Sequence, residues 1–242
     1  MKLNIKSFKL SISNIDKIGY SVLVLVTVLG VITAFFQEDF FVNVLVVEDG
    51  IIENLTAILL LITGLMLLKN MILIKNKYQL VFVTTFLLSI FFLFIAGEEI
   101  SWGQRIFNIE STGFFMENNT QQEMNFHNLK IAGIPVNRLL FGQLITIAII
   151  SYLLLFPLLY DNVPSLRKLI NKVGIPVGEY HHLIMFLVLT GMILLIPSGK
   201  KWELYEFALS VIFLLIILKP KNNIYSSLAY SYTNSETKMA TT

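Results

Sequence analysis

Six long apolar runs, at about residues 18–36, 51–68, 80–97, 139–160, 182–197 and 203–218, decide what this chain can become. A hydrocarbon core about 30 Å thick is crossed by roughly 20 apolar residues in a helix, and most of the runs reach that length. The fifth, at about 16 residues, is short and has to borrow interfacial residues to span. Unpaired backbone groups cannot be left in lipid, and no run alternates with the period of a barrel strand, so each is expected to be helical. The expected fold is therefore an all-α polytopic membrane bundle of about six transmembrane helices. Composition agrees: 14% of residues are charged, against about 25% in soluble domains. One integral membrane domain is expected over residues 1–222, with the polar residues 223–242 as a disordered cytoplasmic tail. The first run shows no small-x-small cleavage pattern and is longer than a signal-peptide core, so it reads as a retained helix.

Basic residues orient the bundle. With the amino terminus inside, thirteen of the eighteen Lys and Arg fall on cytoplasmic segments, and Arg105, Lys130, Arg138, Lys200 and Lys201 fall outside. That imbalance places both termini in the cytoplasm. Twelve of the sixteen carboxylates then lie outside, which topology does not explain, because acids contribute little to it. Basic and aromatic residues are not interleaved as in nucleic-acid binders. The absence of cysteine removes thiolate metal sites and a cysteine nucleophile.

Charge at the edge of hydrocarbon is costly and is commonly kept for function, so the outer acids are the place to look. Asp49 reads as a helix cap, whereas Glu53 stands one turn further in on the same face and is not explained by capping. Glu98 and Glu99 end an apolar run, at a helix terminus whose dipole disfavours anions, so they need a partner. Arg105 is the candidate, and consecutive helical positions diverge by roughly 100°, so one acid should face the bundle and the other the loop. Residues 98–138 form a connection of about 40 residues, far beyond the usual length, and its aromatic content predicts short helices lying on the outer surface. In a helix there, Glu123 and His127 would share a face at i and i+4, able to couple an acid to an imidazole or to present two ligands to one ion. Glu203 suits a helix start, and Glu206 lies a turn deeper. On the inner side, Glu179-Tyr180-His181-His182 reads as a surface anchor beside a basic loop. No His-Glu-x-x-His, Gly-x-Ser-x-Gly or glycine-rich phosphate loop is present.

The string Gly97-Glu98-Glu99-Ile100-Ser101-Trp102-Gly103-Gln104-Arg105, followed by Asn125-Phe126-His127-Asn128, resembles a group of bacterial multi-pass inner-membrane proteins. The resemblance covers about a quarter of the chain; it implies a bacterial inner-membrane setting and no particular activity.

From the residues, the first functional expectation is an intramembrane hydrolase or transferase acting on a lipid or lipid-linked substrate at the outer leaflet. Glu53, Glu98, Glu99, Glu123, His127 and Glu206 would supply acid–base groups, and Arg105, Trp102, Gln104 and Asn128 would hold the substrate. Glu53, Glu98, Glu123 and His127 are candidate ligands for a divalent metal cation. The alternatives are a proton- or cation-coupled transporter, and a non-catalytic membrane assembly factor. The nearly pure apolar middles of the spans favour one-sided chemistry over transport.

Overall fold

In a computed structural model of the protein, residues 12–74, 78–131, 134–136 and 145–225 are described. The chain runs through α1 (Asn14–Phe36), the short α2 (Glu38–Phe40) with a wide helical turn after it (Phe41–Leu45), α3 (Ile51–Ile74) and α4 (Gln79–Glu99). A long loop follows, carrying α5 (Gly113–Asn118) and a two-stranded hairpin of β1 (Lys130–Ile131) and β2 (Ile134–Pro135). The remainder is α6 (Ile145–Asn162), α7 (Pro164–Val173), α8 (Tyr180–Leu194) and α9 (Lys201–Leu218).

Four of these helices, α1, α3, α4 and α6, are long and apolar enough to cross a membrane. The apolar α8 has 15 residues, and α9 has 18 but opens with Lys201, Glu203 and Glu206. No more than a third of the apolar window of any of the four is buried. Leu25, Ile58, Leu87 and Ile147 are among many large side chains left open on their outer faces. Exposed apolar surface on that scale is unsupportable in water and is ordinary against lipid.

α9 is the hub. Leu204, Phe207, Ala208, Val211, Ile212, Leu215 and Ile216 are buried around its circumference, as expected of a helix enclosed by others. α3, α8 and α1 pack on it, α4 covers the other side of α3, and α6 flanks α8. Small residues let the backbones approach. Gly19 and Gly30 sit one above the other on α1 against Leu215 and Leu204 of α9, while Gly64 of α3 faces Leu93 of α4. Ser89 adds an interhelical bond by donating to the Gly64 carbonyl at 2.7 Å, the kind of polar contact that holds helices together where hydrophobic driving force is absent.

Helix boundaries follow local rules. Ser13 and Asp16 form a reciprocal capping box at the start of α1. Pro164 opens α7, and Gly174 closes it in the left-handed region at φ 86°.

Two expectations are corrected here. The long loop is less helical than expected: among the described residues it has a 3-10 turn (Ser101–Gly103), one six-residue helix, the small hairpin, and turns stapled by side chains. The packed chain also extends past residue 222, because Ile224 is buried beside Ile74 and Val81, with Tyr225 against them. The expected tail at 226–242, and the start of the fourth run at 139–144, lie outside the described residues.

Candidate functional site

The loop docks on the end of the bundle formed by the start of α3, the end of α4 and the start of α9, and Glu98 is the anchor. Its carboxylate is 4% exposed. Oε1 accepts from Trp102 Nε1 at 2.7 Å, and Oε2 accepts from the backbone N–H groups of Phe126 and His127 at 2.6 and 3.2 Å. These donors answer the sequence-level puzzle of an acid at a helix C-terminus: the loop amides supply the positive dipoles that the helix end denies it.

Between Glu98 and the rest of the loop the backbone turns left-handed at three successive residues, Ser101 (φ 47°), Trp102 (φ 55°) and Gly103 (φ 76°). Only Gly103 adopts such angles without cost; for the other two the conformation costs about 1–2 kcal/mol each. It is held from outside. The Trp102 ring lies over Gly97, where a Cβ would stand 2.9 Å from it, and Ser101 Oγ donates to Glu123 while accepting from Asn125 Nδ2 at 2.8 Å. Strain of this kind persists where surrounding structure over-determines it, and it gathers at functional sites.

Arg105 does not pair with Glu98 or Glu99 as the sequence suggested. It bridges Asp49, Glu53 at 3.7 Å and Glu123 at 3.3 Å, tying the loop to the start of α3. A guanidinium engaged with three carboxylates is poorly placed to receive an anionic head group. Gln104 and Asn128 bond within the loop: Gln104 Oε1 accepts from Met124 N–H and its Nε2 donates to Ser111, while Asn128 N–H donates to Asn125 Oδ1 and its amide meets Gln121. Trp102 keeps a half-exposed ring.

Glu123 and His127 do not occupy successive turns of a helix. The stretch from Asn119 to Leu129 is a turn-rich loop closed by a bridge between those two residues. Glu123 spends its oxygens on Ser101, Asn125 and Arg105. His127 sits beside Glu98 with its ring largely enclosed, and burial holds its pKa below the ordinary value of 6.5 against the opposing pull of Glu98 and Glu48. Above pH 6.5 the ring is neutral in folded and unfolded chains alike; as pH falls below 6.5 the unfolded chain takes up the proton first, so stability is lost through that window. An NMR titration of the His127 ring should give a midpoint below 6.5, whereas a midpoint above it would mean that the two glutamates outweigh burial.

The remaining acids converge. Glu99 is half-buried, and Glu206, Glu203, Glu53 and Glu98 all lie within Coulombic range of it. Glu53 in turn feels Glu203, and Glu206 feels Glu53. One half of the expected division holds, since Glu98 turns to the loop. The expectation of a shared metal at Glu53, Glu98, Glu123 and His127 does not hold: among the described residues those side chains do not bring three ligand atoms together, because hydrogen bonds and Arg105 already engage Glu98 and Glu123.

One gathering was missed altogether. Asp16, His181 and His182 meet, buried, at the opposite end of the bundle. The surface-anchor reading of the two histidines is therefore wrong, and nothing in the local sequence could have paired them with an acid some 165 positions earlier.

No family model, no curated protein and no solved structure matches the chain.

Proposed function

We propose that this is a six-span protein of a bacterial inner membrane, with both termini cytoplasmic, that acts as a hydrolase or transferase on a lipid or lipid-linked substrate at the outer leaflet. The observation that supports the reading best is the convergence of Glu53, Glu99, Glu203 and Glu206 under a loop pinned by Glu98 through strained backbone. Arg105 and Lys200 bring two positive charges against these four carboxylates. The excess negative charge in a partly dry site is balanced by uptake of a proton or a cation. A carboxyl beside a carboxylate is the pair that general acid–base catalysis uses. Trp102, Phe107 and Phe114 of the roof expose large apolar surface, which suits a site entered from lipid.

Thr56 and Thr63 spend their hydroxyls on carbonyls of their own helix, those of Ile52 and Leu59. No Asp, Glu, Lys, Arg or His stands in the middle of any run. Both facts favour chemistry at one face over conduction. The carrier reading draws its support from the same excess of acids, which would equally serve to load a proton or cation.

The test is lipid mass spectrometry on proteoliposomes made from a bacterial lipid extract. Wild type should consume one lipid species that Glu99→Gln and Glu206→Gln leave intact. If lipids are unchanged while an internal pH dye records a Glu99-dependent proton flux, the carrier replaces the enzyme; if neither occurs, both readings fail.

Topology is checked separately in this cysteine-free chain. Asn118→Cys should react with an impermeant thiol reagent from outside, and Asn171→Cys only after the membrane is opened. External labelling at position 171 would reverse the orientation.

A further inference from the structure

At the end of the bundle away from the loop, Asp16 of α1 and His181 and His182 of α8 offer one oxygen and two nitrogens lying within 4.8 Å of one another, and all three residues are buried. Asp16 Oδ1 is 3.5 Å from His182 Nε2, and Asp16 Oδ2 is 3.9 Å from His181 Nε2. Around a tetrahedral ion with bonds of about 2.1 Å, neighbouring donor atoms stand ~3.4 Å apart, so Asp16 and His182 are already near that spacing and closing the whole set takes movements of about 1 Å.

A second observation points to a ligand. His182 is 1% exposed, and its Nε2, 3.5 Å from Asp16 Oδ1, makes no well-formed hydrogen bond there. Buried polar atoms are rarely left so. The surroundings are also those of a ligand sphere. Tyr20 Oη lies 2.6 Å from His181 Nδ1, which fits a ring that donates from Nδ1 and keeps its Nε2 lone pair toward Asp16. Ser13 N–H and Oγ–H donate to Asp16 Oδ2 at 3.0 and 2.6 Å and orient the carboxylate.

We propose that Asp16, His181 and His182 bind one divalent cation of the zinc class, joining α1 to α8 at the cytoplasmic end. Two imidazoles and a carboxylate suit Zn2+ and its first-row neighbours, whereas Mg2+ and Ca2+ favour oxygen shells. Three protein ligands leave a fourth position for water. The site is independent of the carboxylates at the loop end.

The competing account is a plain acid–imidazole contact. His182 Nδ1 accepts the Glu179 N–H at 3.0 Å, which places the ring proton on Nε2 in the metal-free chain. Metal at Nε2 moves that proton to Nδ1, where it would face the Glu179 N–H donor to donor, so the start of α8 has to shift; two imidazole–metal bonds and one from carboxylate are set against that cost.

The experiment uses the full chain in detergent, stripped with a chelator and titrated with Zn2+ by calorimetry and thermal unfolding. One ion per chain and a rise in Tm are expected, with Co2+ giving visible absorption in its place. Asp16→Asn and His182→Gln should weaken binding about a hundredfold or more, while Glu99→Gln and Glu206→Gln leave it unchanged. Absence of binding by the wild type, or binding that follows Glu99 and Glu206 instead, overturns the proposal. If the Asp16 or His182 variants do not fold, X-ray absorption of the zinc-loaded wild type decides: two imidazole shells support the site, and an oxygen-only shell refutes it.

Discussion

Glu98→Ala is expected to release the long loop while the helices stay folded. Its carboxylate accepts from Trp102 Nε1 and from the N–H groups of Phe126 and His127. Hydrogen bonds to a charged group contribute about 1.5–3 kcal/mol each, and donors left without a partner cost about 1–3 kcal/mol. Water reaches part of the loop, so the sum is discounted to about 3–5 kcal/mol of docking energy. The same bonds steady the left-handed turn at Ser101 and Trp102, so losing them also frees the strain stored there. Local opening of such a unit need not unfold the rest. Amide hydrogen exchange across residues 101–129 should speed up about a hundredfold or more, with the amides of α9 unchanged. Exchange at the wild-type rate would show that Arg105 and Gln104 hold the loop without Glu98.

Gly174→Val is expected to destabilise the opposite end. The residue sits at φ 86°, and an added Cβ would stand 2.6 Å from Val81 Cγ1 and 2.9 Å from Val81 Cα, a backbone atom that cannot turn aside. The left-handed backbone costs about 1–2 kcal/mol for an ordinary residue, more for a β-branched one, and overpacking adds about 1–3 kcal/mol. A loss of about 3–5 kcal/mol should appear as a large fall in Tm. Gly191→Ala is the control: no atom lies within 4 Å of its Cβ position inside α8, so it should be neutral or slightly stabilising. Equal falls in both variants would mean that close approach of α7 to α4 is not what Gly174 provides.

Membrane character and helix type were legible because they depend on properties summed over about 20 residues, which no single contact can reverse. Local rules carried less far. Asp49 was expected to cap α3, but it stands before the helix at φ 65°, and Glu53 accepts the Asp49 N–H, so the acid in the capping role is Glu53. Glu98 turning to the loop is one half of the division expected from the angle between consecutive positions. The loop did not follow, since its short polar stretches have no period to read. Helical spacing between Glu123 and His127 was assumed where turns stapled by Asn119, Asn125 and Ser101 prevail.

By itself, then, the sequence determined the solvent the chain folds in and the helical form of its long segments, and it marked which helix ends carry acid. Tertiary structure alone decided which of those acids are committed and which are left over. Arg105 chose Asp49, Glu53 and Glu123 over Glu98 because the left-handed turn swings it back toward α3, leaving Glu98 to the loop amides. Asp16 met His181 and His182 because α1 and α8 pack side by side from the same end of the bundle. Hydrophobicity and helical period act along the chain and can be read from it. Pairing between distant residues depends on which helices become neighbours, and that is settled only when glycines such as Gly19, Gly30 and Gly64 let particular backbones come close.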